Sequence, residues 1–241
     1  IMPTNAGTID FIGRKCGVVG DADGLLRALC RTLRLGRTPD VLTIDSLLVR
    51  GVHGQDTDWP GRPFEKVGFA SAIAGIGQRF FDKFYAQERQ DAAGILKIAG
   101  KVIGSGLSQV PVVRHVPLPV SLRCYSDTIF EPMPLDVWIG GKPLPMRTFR
   151  ALNVGAIDIN LAAVFRFFRH ARTPGVLHVQ AGNADVVDVL RNLPRMMTGR
   201  DLAIADFFEG PAQSVRVVAR DGRRIDPVID GELYWGLSEA D

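Results

Sequence analysis

"PLDVWIGGKPLPMRTFRALNVG", residues 134–155, decides the fold. Leu135, Val137 and Ile139 alternate with Asp136 and Trp138, the two-residue period of a strand with one buried face. Gly140-Gly141 then offers two residues free to take positive φ, so a hairpin turn is expected there. Working outward, "GVLHVQAG" (175–182) and "SVRVVAR" (214–220) read as further short strands. His178 alternates away from Leu177 and Val179, which favours a non-catalytic reading of it. "VLTIDSLLV" (41–49) is strand-like, and "KVGFASAIAGIG" (66–77) reads as a buried strand ending at glycines. "GVHGQDTDWPGRP" (51–63) between them is a polar loop rich in Gly and Pro.

Helices occupy fewer places. "DADGLLRALCRTLRLG" (21–36) sets Leu25, Leu26, Leu29 and Leu33 on one stripe. Asp21 and Asp23 stand at its start and Arg31, Arg34 and Arg37 at its end, as the helix dipole favours. "GTIDFIGRKCG" (7–17) is a shorter helix ended by Gly17. Residues 78–103 read as helix, interrupted at Gly94 and Gly100, with Phe80, Phe81, Phe84 and Tyr85 on one side. "INLAAVFRFFRHAR" (159–172) and "NADVVDVLRNLPRMMTG" (183–199) are also expected to be helical. In the first of these, Leu161, Val164, Phe165 and Phe168 would share a stripe beside Arg166, Arg169, His170 and Arg172. That composition suits an interfacial helix, with the phenylalanines partly exposed to lipid and the arginines to anionic headgroups. The competing reading packs the stripe on the sheet. The order of elements points to α+β, with a β-rich, sandwich-like body.

Composition narrows the function. The chain has 241 residues, 46% hydrophobic and 23% charged, enough to bury a sizeable core. A net charge of +3 is too small to argue for nucleic acid, so no nucleic-acid partner is expected. Cys16, Cys30 and Cys124 make neither a disulfide framework nor a metal knuckle, and the four histidines are dispersed. No apolar run reaches the roughly 18 residues of a spanning helix. The opening "IMPTNAGTID" lacks a signal-peptide pattern, and the odd, scattered cysteines point inside the cell, so a cytoplasmic protein is expected. Two stretches carry chemistry. Gly7-Thr8 precedes a helix start, where backbone N–H groups can hold a phosphate, or where Thr8 is a plain N-cap. Asp230-Gly231-Glu232 lies between two β-forming stretches, where Asp-Gly is a favoured hairpin turn.

Three segments, taken in order, resemble the diacylglycerol kinase catalytic-domain family, which includes bacterial lipid kinases and sphingosine kinases. "MPTNAGTIDFIGRKCGV" (2–18) is similar to that family's P-x-G-T-x-N-x-x-A-R segment. "LRNLPRMMTGRDL" (190–202) is similar to its L-P-x-L-x-x-G-x-H stretch, and "VIDGELYWG" (228–236) to its V-D-G-E-P-L ending. The resemblance implies a two-domain kinase with the active site between a nucleotide-binding α/β domain and a β-rich domain. Residues 1–38 would be a helical remnant of the first domain and residues 39–241 the second. The family's Gly-Gly-Asp-Gly-Thr nucleotide loop is absent, so a truncated chain without activity of its own is expected.

The resemblance further implies ATP and Mg2+ as cofactors and a diacylglycerol-like or long-chain-base lipid as substrate. A transient membrane surface and a homodimer are the other partners it suggests, with the protein peripheral to the membrane. Asp230 and Glu232 fall on its catalytic positions, Asp230 as base and Glu232 for metal or orientation. An extended segment would turn both carboxylates toward one cleft. Gly7, Thr8 and Asp10 fall on its nucleotide-binding positions. There are departures: Asp10 replaces the family asparagine, and "VGAIDINLAAVF" (154–165) replaces a glycine-rich segment. Thr173-Pro174-Gly175 replaces an acidic turn that helps bind a structural magnesium in relatives, which leaves the metal ligands unknown. A non-catalytic lipid- or membrane-binding module is the alternative, and a relative of the NAD kinases fits the C-terminal match poorly.

Overall fold

The alternation at 134–155 is realised as strand β4 (Met133–Ile139), which turns at Gly140-Gly141 into β5 (Lys142–Pro143). Leu135, Val137 and Ile139 are buried as their spacing requires. The computed structural model of the chain describes residues 11–88, 92–108, 125–161 and 165–241. Within them β1 (Leu47–His53), β2 (Pro63–Gly68) and β3 (Ser71–Gly75) precede β4. After it come β6 (Thr148–Phe149), β7 (Ala151–Gly155), β8 (Ile159–Leu161), β9 (Phe165–Phe167) and β10 (Leu177–Gly182). The chain then adds β11 (Phe207–Ala212), β12 (Val215–Ala219), β13 (Val228–Ile229), β14 (Glu232–Leu233) and β15 (Leu237–Ala240).

Two large antiparallel sheets result, with β8-β9 a separate two-stranded one. One runs β2-β1-β15-β12-β4-β5, with β6 also paired to β4; the other runs β11-β10-β7-β3-β13-β14. Between them lies the main core, where Leu135, Val137, Phe149 and Leu237 of the first sheet meet Leu152, Val179 and Ala181 of the second. The fold is therefore α+β and sandwich-like, as the sequence predicts.

The described helices are α1 (Phe11–Lys15), α2 (Ala22–Arg34), α3 (Ile76–Tyr85), α4 (Ala92–Ser108), α5 (Tyr125–Ile129) and α6 (Val186–Thr198). Of these, α3 packs directly on the outer face of the second sheet, against β3, β7 and β13. Among the described residues no helix is long and apolar enough to cross a membrane. A second core joins Phe84 of α3, Ile98 of α4, Ile129 of α5 and Val186 of α6. β3 passes straight into α3 at Gly75, whose φ is +74° and whose missing Cβ would lie 2.1 Å from the Arg150 carbonyl oxygen. Only glycine fits there. The start of α6 is a capping box in which Asp185 and Asp188 each accept the other's backbone N–H. On α2 the leucine stripe forms, yet none of its residues is buried.

Three expectations need correcting. The helical stretch after β3 breaks between Tyr85 and Ala92, and Gly94 and Gly100 lie inside α4. The strand expected at 41–49 begins only at Leu47. Residues 159–172 are not one helix: they form the β8–β9 hairpin and a 3-10 turn at Arg169–Arg172. Phe168, expected to meet lipid, is 6% exposed. Its ring occupies the space a Cβ on Gly155 would need, 2.1 Å away, and packs edge-on to His178. The side chains of Leu161, Val164 and Phe165 lie outside the described residues.

Candidate functional site

Val228–Ile229 and Glu232–Leu233 pair across a two-residue turn, Asp230-Gly231. Both turn residues have positive φ, 52° and 89°, as a type I′ hairpin requires. The segment is thus a turn and not extended. The turn does not release Asp230 into solvent. Its carboxylate folds back over the β2–β3 connection and accepts the backbone N–H groups of Phe69 (2.6 Å), Ala70 (2.8 Å) and Ser71 (3.0 Å). A carboxylate offers about four acceptor positions, so about one remains for other work.

Glu232 differs. Its side chain is 69% exposed, and its Oε2 accepts from the Tyr234 hydroxyl (2.5 Å) and from Lys66 Nζ (3.3 Å). The Tyr234 hydrogen bond, followed by that of Lys66, holds the carboxyl below the usual glutamate value. Tyr85, at the end of α3, donates its hydroxyl to the Gly231 carbonyl, tying the helix to the turn.

Asp230, Gly231 and Glu232 stand on the wall of one large cleft of about 1830 Å³. Phe80, Phe81 and Phe84 of α3, Ile73 of β3 and Leu193 of α6 help make that wall, which is mostly apolar. Two polar side chains of its wall, Gln180 and Asn153, come from the sheet and belong to a longer row. Glu209, Gln180, Asn153 and Ile73 stand directly opposite one another on β11, β10, β7 and β3. Their sequence neighbours Val179, Ala181, Leu152 and Ala74 face the sandwich core, so this row faces the helices. Asn153 Nδ2 donates to Gln180 Oε1 (3.4 Å), and Gln180 Nε2 donates to Glu209 Oε1 (3.2 Å). The Leu202 N–H donates to Glu209 Oε2 at 2.6 Å.

His178, one place along the same face of β10, is 1% exposed. Its Nδ1 accepts the His170 backbone N–H, which leaves the proton of a neutral ring on Nε2, 3.3 Å from Glu209 Oε1. That contact has ion-pair distance without hydrogen-bond alignment. Burial raises the Glu209 pKa, but His178, the Leu202 N–H and Gln180 together outweigh it, and the carboxyl sits below its ordinary value. Reading by alternation set His178 apart as non-catalytic but gave no sign of the row as a whole. The "HVQ" pattern equally describes a solvated face, and only the register with β7 and β11 brings the polar side chains together.

The arginines expected at a membrane are otherwise engaged. Asp158, 7% exposed, accepts from Arg166 Nε (3.2 Å) and Nη2 (3.0 Å) and from Arg172 Nε (2.7 Å), with Lys15 Nζ 3.9 Å away. Burial raises the Asp158 pKa, and the two arginines more than reverse it, so the net shift is downward. Arg169 pairs with Asp201 and donates to the Gly199 carbonyl.

Gly7, Thr8 and Asp10 lie outside the described residues. Among the described residues, no group of three or more His, Cys, Asp or Glu side chains is placed to hold a metal ion. Asp230 is largely engaged by backbone, and the Gly175 N–H at the replaced acidic turn donates to Asp45 (2.7 Å). The described residues therefore do not fit a resident magnesium ion.

No protein-family model matches the chain, and no curated protein does. Solved structures do. A Bacillus anthracis str. Sterne protein, provisionally described as a diacylglycerol kinase, superposes with a TM-score of 0.53 at 13% identity. The match covers 97% of this chain and 62% of that one. A further structure of the same description and source gives 0.49 at 13% identity, over 100% of this chain and 66% of that one. The chain thus spans about 62% of the length of the first of these proteins. Its sandwich and covering helices are diacylglycerol kinase-like in fold.

Proposed function

We propose that this chain is the lipid-holding part of an ATP-dependent lipid kinase that phosphorylates a hydroxyl of a diacylglycerol-like or long-chain-base lipid. The observation that carries the proposal is the cleft: a large, mostly apolar chamber with the carboxylates of Asp230 and Glu232 on its wall, on a fold shared with a protein described as such a kinase. Burial of an acyl chain supplies binding in proportion to its apolar area, about 25 cal/mol per Å². Phosphoryl transfer to an alcohol needs a group that orients or accepts the hydroxyl proton. Glu232, ionised and exposed on that wall, meets this need better than Asp230, most of whose acceptor positions are filled. Magnesium arriving on nucleotide phosphates needs only one or two protein carboxylates. In this proposal Gly7, Thr8 and Asp10, with a nucleotide loop outside the chain, hold the ATP.

A non-catalytic lipid-binding module is the second reading, favoured by one observation: the triple backbone engagement of Asp230, a structural use of the expected base. One experiment separates the two. The protein with its native upstream sequence is incubated with labelled ATP, magnesium and either diolein or sphingosine, and lipid phosphate is counted. Transfer that falls at least ~100-fold in Glu232→Gln supports the kinase. Saturable lipid binding without transfer supports the module, and failure to bind either lipid overturns both readings.

A further inference from the structure

Asn153 is an amide on the wall of a mostly apolar chamber. Its Nδ2 donates one hydrogen to Gln180, and neither its second N–H nor its Oδ1 has another partner among the described residues. Gln180, 7% exposed, cannot turn to serve it further. Its carbonyl is occupied by Asn153 and its amide by Glu209. Glu209 is itself fixed by the Leu202 N–H. The order Glu209, Gln180, Asn153 therefore fixes which way the Asn153 amide points, with one donor and one acceptor left over toward the cleft. A polar group facing an apolar space raises the free energy unless something hydrogen-bonds it.

The register fixes its distance from the turn. Asn153 opposes Ile73, and Ile73 opposes Val228, two residues before Asp230. Two strand spacings of about 4.8 Å and two residues of about 3.4 Å place Asn153 roughly 12 Å from Asp230. A lipid whose reacting hydroxyl lies at the turn and whose chain runs into the cleft therefore passes Asn153 partway along its length.

We propose that Asn153, positioned by Gln180 and Glu209, recognises an oxygen function partway along the bound lipid, a hydroxyl or an ester carbonyl, and so selects among lipids of the same length. This rests on the reading of the cleft as a lipid site. A hydroxyl satisfies both free valences of the amide, and an ester carbonyl satisfies its donor alone.

The test measures binding of octadecanol, 12-hydroxyoctadecanol and a mid-chain ester of similar length to the whole chain by displacement of a fluorescent fatty alcohol. Wild type is expected to prefer the mid-chain ester about fivefold over octadecanol, the worth of one neutral hydrogen bond, and the hydroxylated alcohol, which makes two, by more. Asn153→Leu is expected to erase the preference while binding octadecanol at least as well, which also certifies that the variant is folded. Should that variant not fold, the wild-type ratio alone decides: equal binding of the three probes overturns the inference and leaves the lipid cleft standing. A preference retained in Asn153→Leu also overturns it. Failure of every probe to bind wild type overturns the lipid cleft itself, and the inference with it.

Discussion

The two faces of the sheet β11-β10-β7-β3-β13-β14 are made by the same strands and are built to different ends. Toward the sandwich, Leu152, Val179 and Ala181 interlock with the opposite sheet and are 5%, 0% and 0% exposed. Toward the helices, Asn153, Gln180, His178 and Glu209 form a polar row beside a chamber of about 1830 Å³. One face is filled to density with apolar atoms; the other leaves space and furnishes it with hydrogen-bonding groups. Apolar packing is concentrated in the first, and open space bordered by polar groups in the second. That division is why a cleft of this size is compatible with a folded chain.

The comparison can be broken most forcefully on the filled face. Phe149, 0% exposed, packs in the sandwich core, and Phe149→Ala is expected to cost about 3–5 kcal/mol in a denaturant titration. A loss below about 1 kcal/mol would mean that the sandwich is not the stabilising half.

Next is the turn at Asp230-Gly231. Asn at position 230 can accept with its oxygen but presents an NH2 group to one of the three backbone donors. Asp230→Asn is expected to cost about 1–3 kcal/mol, the penalty of an unsatisfied N–H. Any fall in turnover in that variant must be corrected for lost fold, so Glu232 is the cleaner probe of chemistry.

On the polar face the expected effect is acid sensitivity. Burial, the neighbouring His178 and Arg169 push the His170 pKa below its usual value, so the unfolded chain binds more protons there. Its contribution is intact above the ordinary histidine range and is lost as pH falls from that range toward the lowered folded value. Glu209 and Asp158, also depressed, hold their contributions above the ordinary carboxylate range and lose them as pH falls through their lower folded values. Two steps of acid destabilisation are expected, and His170→Gln should remove the upper one. A melting-temperature series from neutral to acid pH that stays flat until the carboxylate range in wild type would contradict this.

The smallest effect belongs to the cleft's exposed carboxylate. Glu232→Gln is expected to change stability by no more than about 0.5 kcal/mol, since its bonds to Lys66 and Tyr234 are at the surface. A larger loss would place Glu232 in the architecture and not in the chemistry.

Much of the sandwich was legible because its signals are local. The β4 hairpin declares itself through alternation and Gly140-Gly141, and α6 through Asp185 and Gly199 at its two ends. Residues 159–172 deceived because a short hairpin offers too few residues to establish a two-residue period. "FRF" alternates over only three positions, and the wider spacing of Leu161, Phe165 and Phe168 also fits a helix. The decisive fact was nonlocal: Gly155 on a neighbouring strand leaves a space that the Phe168 ring fills. At the site, Asp-Gly was readable as a turn. That its carboxylate would be claimed by residues 69–71 was not, since the partners lie about 160 positions away. The polar row was equally hidden, because its members are brought together by strand register alone.

The clasp at Asp230 has an evolutionary consequence. One side chain both closes the β2–β3 connection and stands at the edge of the chamber, so the two traits share a single heritable position. A lineage cannot change residue 230 without disturbing its backbone partners, so drift there is restrained whatever use the cleft is put to. Glu232, with only Lys66 and Tyr234 to answer to, is free to change as the demand on the site changes. Among descendants of this chain, change would therefore be recorded first at position 232, while the aspartate two places before it persisted as an inherited piece of masonry.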